Sequence, residues 1–292
     1  MSAPGPLDLT GRAVLVTGGT RGVGAGIAAA FLAAGAEVLV CGRGEPASLP
    51  SAGGRSALFH ACDVRDPAQA AGLVRAVADR FGRLDVLVNN AGGSPDAEAA
   101  TVSPRFVEKI VALNLLAPFY LAQAAYAVMH RQPEGGAIVN IGSVSAHHPQ
   151  PGTAAYSAAK AGLLGLTRAL ALEWAPPVRV NHITVGPVRT GSAADGHGPG
   201  GDASEGDAAE RDASDGDAAV AGTIAVGRLA DPADVAGACL FLAGPLAGYI
   251  SGADLAVHGG GEHPARYLAA QPHPPADPHA HPPAWIPSAQ AP

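Results

Sequence analysis

Tyr156 and Lys160 stand four positions apart in the stretch AAYSAAK, which reads as helix, so a phenol and an ammonium emerge from one face. The chain has two lysines, Lys109 and Lys160, and five tyrosines, which makes a Tyr-x-x-x-Lys pair informative rather than incidental. A phenol with a pKa of about 10 exchanges protons poorly near neutrality until a neighbouring ammonium favours the phenolate. Lys160 is expected to supply that charge. Ser143 lies thirteen residues before Tyr156, at the end of an apolar run, where its hydroxyl can meet a substrate oxygen on which charge develops. The alternative for a strand-end serine is a turn hydroxyl that bonds its own backbone.

A second group of residues suits phosphate. The run Thr17-Gly18-Gly19-Thr20-Arg21-Gly22-Val23-Gly24 joins an apolar strand to a helical pattern. Such a junction gathers backbone N–H groups and the positive end of a helix dipole, and glycines allow close approach. The TGxxxGxG spacing differs from GxGxxG. Downstream, Asn89-Asn90-Ala91-Gly92 closes another strand, and two of the chain's five asparagines at one strand end point to specific hydrogen bonding. Ser157-Ala-Ala-Lys160 is also a literal S-x-x-K, the nucleophile motif of penicillin-binding acyl enzymes, but no S-D-N or K-T-G accompanies it.

The elements that must position these groups follow from periodicity. Short apolar runs at 13–17, 37–41, 57–62, 84–88, 137–141, 178–184 and 254–257 read as strands, and 23–34, 67–81, 104–130, 155–174 and 232–243 as helices. Asp66-Pro67, Ser103-Pro104 and Asp231-Pro232 mark helix starts, each an N-cap followed by proline. This alternation predicts an α/β fold: a Rossmann-type, doubly wound, seven-stranded parallel sheet with helices on both faces, in a single domain over 1–262. Apolar residues at 48% suffice for its core, and the scarcity of aromatics, 4%, requires close packing of small aliphatic side chains. Residues 191–219, rich in Ala, Gly, Ser and Asp, read as an acidic, mobile low-complexity insert, and 263–292 as an extended Pro/His-rich tail. In that tail His273, His279 and His281 are set among prolines, with solvated histidines the expectation over a metal cluster. The formal charge of −7 comes from the insert, which leaves the rest of the chain balanced and without a basic stripe for nucleic acid. No metal site is expected. No uninterrupted apolar run approaches the roughly 20 residues of a membrane span, and no signal pattern opens the chain, so a cytoplasmic protein is expected. Cys41, Cys62 and Cys239 fit neither a disulfide framework nor zinc spacing and read as small buried residues.

Taken together, TGGTRGVG, NNAG, Asn114, Ser143, Tyr156-x-x-x-Lys160 and the segment 181–186 (NHITVG) resemble the short-chain dehydrogenase/reductase family over about 9–261, closest in pattern to 3-oxoacyl reductases. The resemblance implies hydride transfer between a nicotinamide cofactor and a carbonyl or alcohol. Tyr156 would be the acid in reduction and the base in oxidation. Ser143 would orient the carbonyl, Lys160 would hold the ribose hydroxyls and lower the pKa of Tyr156, and Asn114 would anchor a water in the proton relay. The cofactor is expected on Thr17, Gly18, Thr20, Arg21, Gly22, Val23, Gly24, Arg43, Asp63, Val64, Asn90, Ala91, Gly92, Tyr156, Lys160, Gly186, Val188 and Thr190, with Asp63 at the adenine. Val185 stands where the family usually has the proline of a Pro-Gly pair, so the nicotinamide-side loop is expected to differ. Arg21 and Arg43, with no carboxylate at the end of the second strand, favour NADPH over NADH because a guanidinium binds a 2′-phosphate bidentately. An acidic insert in the lid region would disfavour anionic substrates. The relatives' habit of pairing two long helices implies a homo-oligomer, a tetramer or dimer. A non-catalytic nucleotide-binding regulator on the same fold is the alternative of a different class.

Overall fold

A computed structural model of the chain describes Gly5 and residues 7–189 and 208–262, with side chains described in the last segment only from Gly216 onward. Thr190, the first part of the acidic insert and the Pro/His-rich tail lie outside the described residues.

Seven parallel strands form one sheet: β1 (Ala13–Thr17), β2 (Glu37–Gly42), β5 (Leu58–Ala61), β6 (Val86–Asn89), β7 (Gly136–Ile141), β8 (Val178–Val185) and β9 (Asp254–Val257). Their order is β5-β2-β1-β6-β7-β8-β9, so the chain winds outward from β1 in one direction and then crosses to build the other half. β1 and β6 are neighbours, in the register Val14↔Val86 and Val16↔Val88. Their C-terminal ends flank the topological switch point, where open α/β sheets bind ligands. β1 is buried along its whole length, which is why it reads as a continuous apolar run without alternation.

Helices cover both faces. α1 (Gly22–Ala33) and α7 (Pro232–Ala243) pack with Ile27, Phe31, Val235 and Cys239 into one core. On the other face α2 (Pro67–Phe81) and α4 (Ala117–Met129) bury Leu73, Val77, Leu121 and Met129. α5 (Ala154–Glu173) adds Leu170 and Ala171 to that side. Asp66 caps α2 by accepting from the N–H groups of Ala68 and Gln69, and Ser103 caps α3 (Pro104–Val111) through Phe106 N–H. At α7 the Asp234 carboxylate accepts from Asp231 N–H, closing a capping box. All three cysteines are buried and unpaired.

The structure departs from the sequence reading in three places. The helix expected over 104–130 is α3 and α4 joined by a π-helical turn, Ala112–Leu116. Pro118 has no N–H for the Asn114 carbonyl four residues earlier, and the Asn114 side-chain amide itself donates to the Ile110 carbonyl at 2.9 Å, so the regular ladder is interrupted from both ends. A two-stranded hairpin, β3 (Ser51–Ala52) and β4 (Arg55–Ser56), turns through Gly53 and Gly54, both at positive φ. The C-terminal part of the insert, expected to be mobile low-complexity chain, forms α6 (Ala208–Thr223), consistent with the helix propensity of its alanines. The joined helical segment Pro104–Met129 is long and apolar enough to cross a membrane by length and composition alone; here Leu121, Ala122, Ala125 and Met129 are buried in the core beside the sheet.

Candidate active site

The C-terminal ends of the strands open onto a cleft of about 850 Å³. At one end stand Ser143, Tyr156 and Lys160, at the other Arg43, Asp63 and Arg65, with the glycine turn after β1 between them. Thr20, Arg21, Val23, Val64, Asn90, Ala91, Gly92 and Gly186 also line it. The residues singled out from three distant stretches of sequence therefore meet in one cavity.

The turn is built for close approach. Gly18 and Gly22 have positive φ, and a Cβ on Gly24 would stand 2.3 Å from the Gly18 carbonyl oxygen. The side-chain amide of Asn90 braces the turn by donating to the carbonyls of Thr17 (2.9 Å) and Gly18 (3.2 Å). Arg21 precedes the first residue of α1, so the helix N-terminus faces the cleft. A dinucleotide fits this cradle: the glycines leave room for a pyrophosphate to approach the backbone at the positive end of the helix.

Lys160 is 4% exposed, and its Nζ donates to the Ile141 carbonyl at 2.8 Å. Burial lowers its pKa from 10.5 to about 8. The expected effect of this lysine on Tyr156 needs correction. Nζ lies over the phenol ring, 5.6 Å from its centroid, and burial of Tyr156 raises its pKa, with a hydrogen bond to Ser143 pulling the other way. In the protein alone, desolvation outweighs the ammonium. Ser143 takes the turn-hydroxyl alternative and also lines the cleft. Its Oγ caps a 3-10 turn, Val144–Ala146, by accepting from Ser145 N–H, and it bonds Tyr156 in the cleft.

Three further expectations shift. Thr17 does not line the cleft: its hydroxyl donates to the Val88 carbonyl and accepts from the N–H groups of Asn90 and Ala91, latching β1 to β6 from beneath. The Asn114 side chain is likewise turned inward, donating to the carbonyls of Gly93 and Ile110 and accepting from Gly93 N–H. Any water anchored at Asn114 is therefore not held by that engaged amide nitrogen. Val188 pairs with Ala230 in a short parallel bridge and also lies off the cleft. Val185 is a paired strand residue opposite Val257, so β8 runs one residue past the end read from sequence before the chain turns at Gly186.

Sequence reading missed Arg65, whose guanidinium holds the Asp63 carboxylate in a two-pronged pair and keeps its pKa below the ordinary range. The two stand two residues apart, so an Asp-x-Arg spacing after β5 was the available signal. It also missed Leu113 and Gly142 in the cleft wall. Ser157, of the S-x-x-K reading, is tied to the Thr153 hydroxyl at 2.9 Å and does not line the cleft.

This fold, with a glycine cradle at the switch point and a Ser-Tyr-Lys group beside it, is that of a nucleotide-dependent oxidoreductase. The family described as Enoyl-(Acyl carrier protein) reductase matches residues 18–262. The D-threitol dehydrogenase of Mycolicibacterium smegmatis is 37% identical over 258 residues, covering 86% of this chain and 93% of that protein. The 3-oxoacyl-[acyl-carrier-protein] reductase of Vibrio cholerae is 32% identical over 257 residues, covering 87% and 98%. The crystal structure of a putative short-chain alcohol dehydrogenase from Sinorhizobium meliloti superposes with a TM-score of 0.73 at 35% identity, over 88% of this chain and 98% of that one. The chain belongs to the short-chain dehydrogenase/reductase family and is an NAD(P)-dependent oxidoreductase.

Proposed function

We propose that the protein reduces a carbonyl of the ketone or 3-oxoacyl type to an alcohol with NADPH. The observation that carries this reading is one cleft with the Ser143, Tyr156 and Lys160 group at one end, Arg43 at the other and Arg21 in the glycine turn between them. When bound, the nicotinamide cofactor supplies the hydride. Tyr156, held by Ser143, delivers a proton to the carbonyl oxygen, and the high pKa that burial gives this phenol keeps it protonated and ready to donate. Ser143 orients that oxygen with the same hydroxyl. Lys160 would hold the ribose hydroxyls and, with its pKa near 8, passes protons readily at neutral pH. Arg43 and Arg21 would hold the 2′-phosphate, and Asp63, braced by Arg65, would hold the adenine. Asn114 fixes the Gly93 backbone beside Lys160. The domain spans 1–262, and exposed Leu116 and Leu172 on the long helices support assembly into a dimer or tetramer.

The relatives named as dehydrogenases favour the reverse, alcohol-oxidising direction as a second reading. Both are tested with one panel of ketones, 3-oxoacyl thioesters and secondary alcohols, assayed with each cofactor. NADPH is expected to exceed NADH in kcat/KM by at least about tenfold, and Tyr156→Phe to lower kcat by about 10² to 10⁴. A clear preference for NADH defeats the cofactor assignment, and an unimpaired Tyr156→Phe defeats the mechanism.

A further inference from the structure

Asp254 opens β9, outside every motif of the sequence reading, and its carboxylate gathers three side chains. Oδ1 accepts from the Thr184 hydroxyl at 2.7 Å and from Nδ1 of His182 at 2.8 Å. Oδ2 accepts from Nε2 of His147 at 3.0 Å, and the Thr184 hydroxyl lies 3.3 Å from that same nitrogen. Burial works to raise the carboxyl's pKa, but the hydrogen bonds from Thr184, His182 and His147 and the charge of His182 outweigh it and hold the group ionised.

Both imidazoles act on the backbone around Ser143. The His182 ring is fully buried and lies directly beneath Gly142, the residue before Ser143: a Cβ there would stand 2.0 Å from Cε1. With Nδ1–H given to Asp254, the ring is fixed in orientation, and its Nε2 is buried with no partner among the described residues. His147 sits at the far end of the 3-10 turn that Ser143 caps, and its N–H donates to the Val144 carbonyl. One carboxylate thus sets the floor before Ser143 and ties down the turn after it. The strand end alone does not fix this turn, since the segment beyond Ala146 turns away into the exposed loop 147–152.

We propose that Asp254, through His147 and His182, is a positioning residue that fixes Ser143 against Tyr156. The proposal rests on the reading of Ser143 as the group that orients the carbonyl. It is tested with the full chain, reducing an acetoacetyl thioester with whichever of NADPH or NADH is turned over faster, in wild type, His147→Leu, His147→Gln, Ser143→Ala and the double variant Ser143→Ala/His147→Leu. His147 is partly exposed, so these variants fold where Asp254→Ala could fail to. His147→Leu is expected to lower kcat about tenfold or more, since a displacement near 1 Å suffices for such losses. Cofactor affinity, read by fluorescence titration, is expected to stay within about twofold, and His147→Gln, whose amide nitrogen replaces Nε2 as donor, to keep kcat within about threefold. The double variant is expected to be no slower than Ser143→Ala alone, because a residue acting through Ser143 has nothing left to position. Losses that multiply in the double variant, or a His147→Leu enzyme as fast as wild type, overturn the proposal. A Ser143→Ala enzyme with wild-type kcat instead overturns the reading of Ser143 itself.

Discussion

Lys160→Met separates the cost of a buried ammonium from its use. The drop in the lysine's pKa from 10.5 to about 8 has burial as its cause, and at about 1.4 kcal/mol per pH unit it amounts to about 3 kcal/mol of destabilisation while the group is charged. Between these two values the unfolded chain binds a proton that the folded chain has released. Raising the pH through that window therefore stabilises the fold, and below about pH 8 the whole penalty is present. Methionine removes the charge and keeps most of the packing, at the cost of the 2.8 Å bond to the Ile141 carbonyl, which contributes roughly 1.5 to 3 kcal/mol as a charge-assisted bond. Near pH 7 the variant is thus expected to be as stable as wild type or up to about 1.5 kcal/mol more so, whereas near pH 10 it is expected to be the less stable protein. The assay is urea unfolding of both proteins without cofactor at a series of pH values, taking the difference between them so that other titrating groups cancel. Parallel stability curves across pH 8 to 10.5 would refute the argument that Lys160 is held charged in a dehydrated site. The same variant is expected to lose carbonyl reduction.

Three other variants probe the scaffold and the cradle. Asp85 is buried and accepts from Ala13 N–H and from the guanidinium groups of Arg12 and Arg83; Asp85→Ala is expected to cost about 1 to 3 kcal/mol in denaturant unfolding, since it strands the buried β1 amide, while the partly exposed Arg12 and Arg83 keep Glu134 as a partner. Gly24→Ala places a Cβ 2.3 Å from the Gly18 carbonyl, and is expected to weaken cofactor binding by at least about tenfold in a fluorescence titration while the secondary structure persists in circular dichroism. Gly216 lies inside α6 with nothing among the described residues within 4 Å of an added Cβ, so Gly216→Ala is expected to stabilise the protein by about 0.5 to 1 kcal/mol, read as a rise in Tm.

What the sequence discloses, and what it does not, follows from the range of the interactions. β1, α2, α7 and β9 lie where periodicity and Asp-Pro or glycine punctuation put them, because a fully buried parallel strand and a proline-started helix are written locally. The π-turn at Asn114 is also local in cause, yet invisible to periodicity, since one extra residue per turn hardly disturbs an apolar stripe that Pro118 is permitted to continue. The hairpin β3–β4 carries only a Gly-Gly signal, because strands of two residues have no alternation to show. In the cleft, the glycine turn and Tyr156-x-x-x-Lys160 could be read because their members are neighbours in the chain. Thr17 and Asn114 show the limit: Thr17 is expected at the cofactor and Asn114 at a relay water, yet the side chains of both bond backbone groups more than 20 residues away, Asn114 also bonding Ile110 within its own helix.

The environment of Tyr156 and Lys160 lies beyond sequence for the same reason. Spacing places an ammonium one turn from a phenol and suggests that charge lowers the phenol's pKa; only the packing shows that both are so dehydrated that burial decides, raising Tyr156 and lowering Lys160. The two shifts move the groups apart on the pH scale and leave the ammonium the stronger acid of the two. In the proposed reduction, an ammonium that releases its proton more easily than the phenol beside it is suited to return a proton to Tyr156 after the phenol has given up its own, a transfer that runs downhill. The Asp254 group belongs to the same lesson: His147, His182 and Asp254 are separated by as many as 107 residues, and nothing in the type of any one of them marks it as a support for Ser143 until the pairing of β8 with β9 brings His182 to Asp254 beside Gly142 and the turn after Ser143 carries His147 to the same carboxylate.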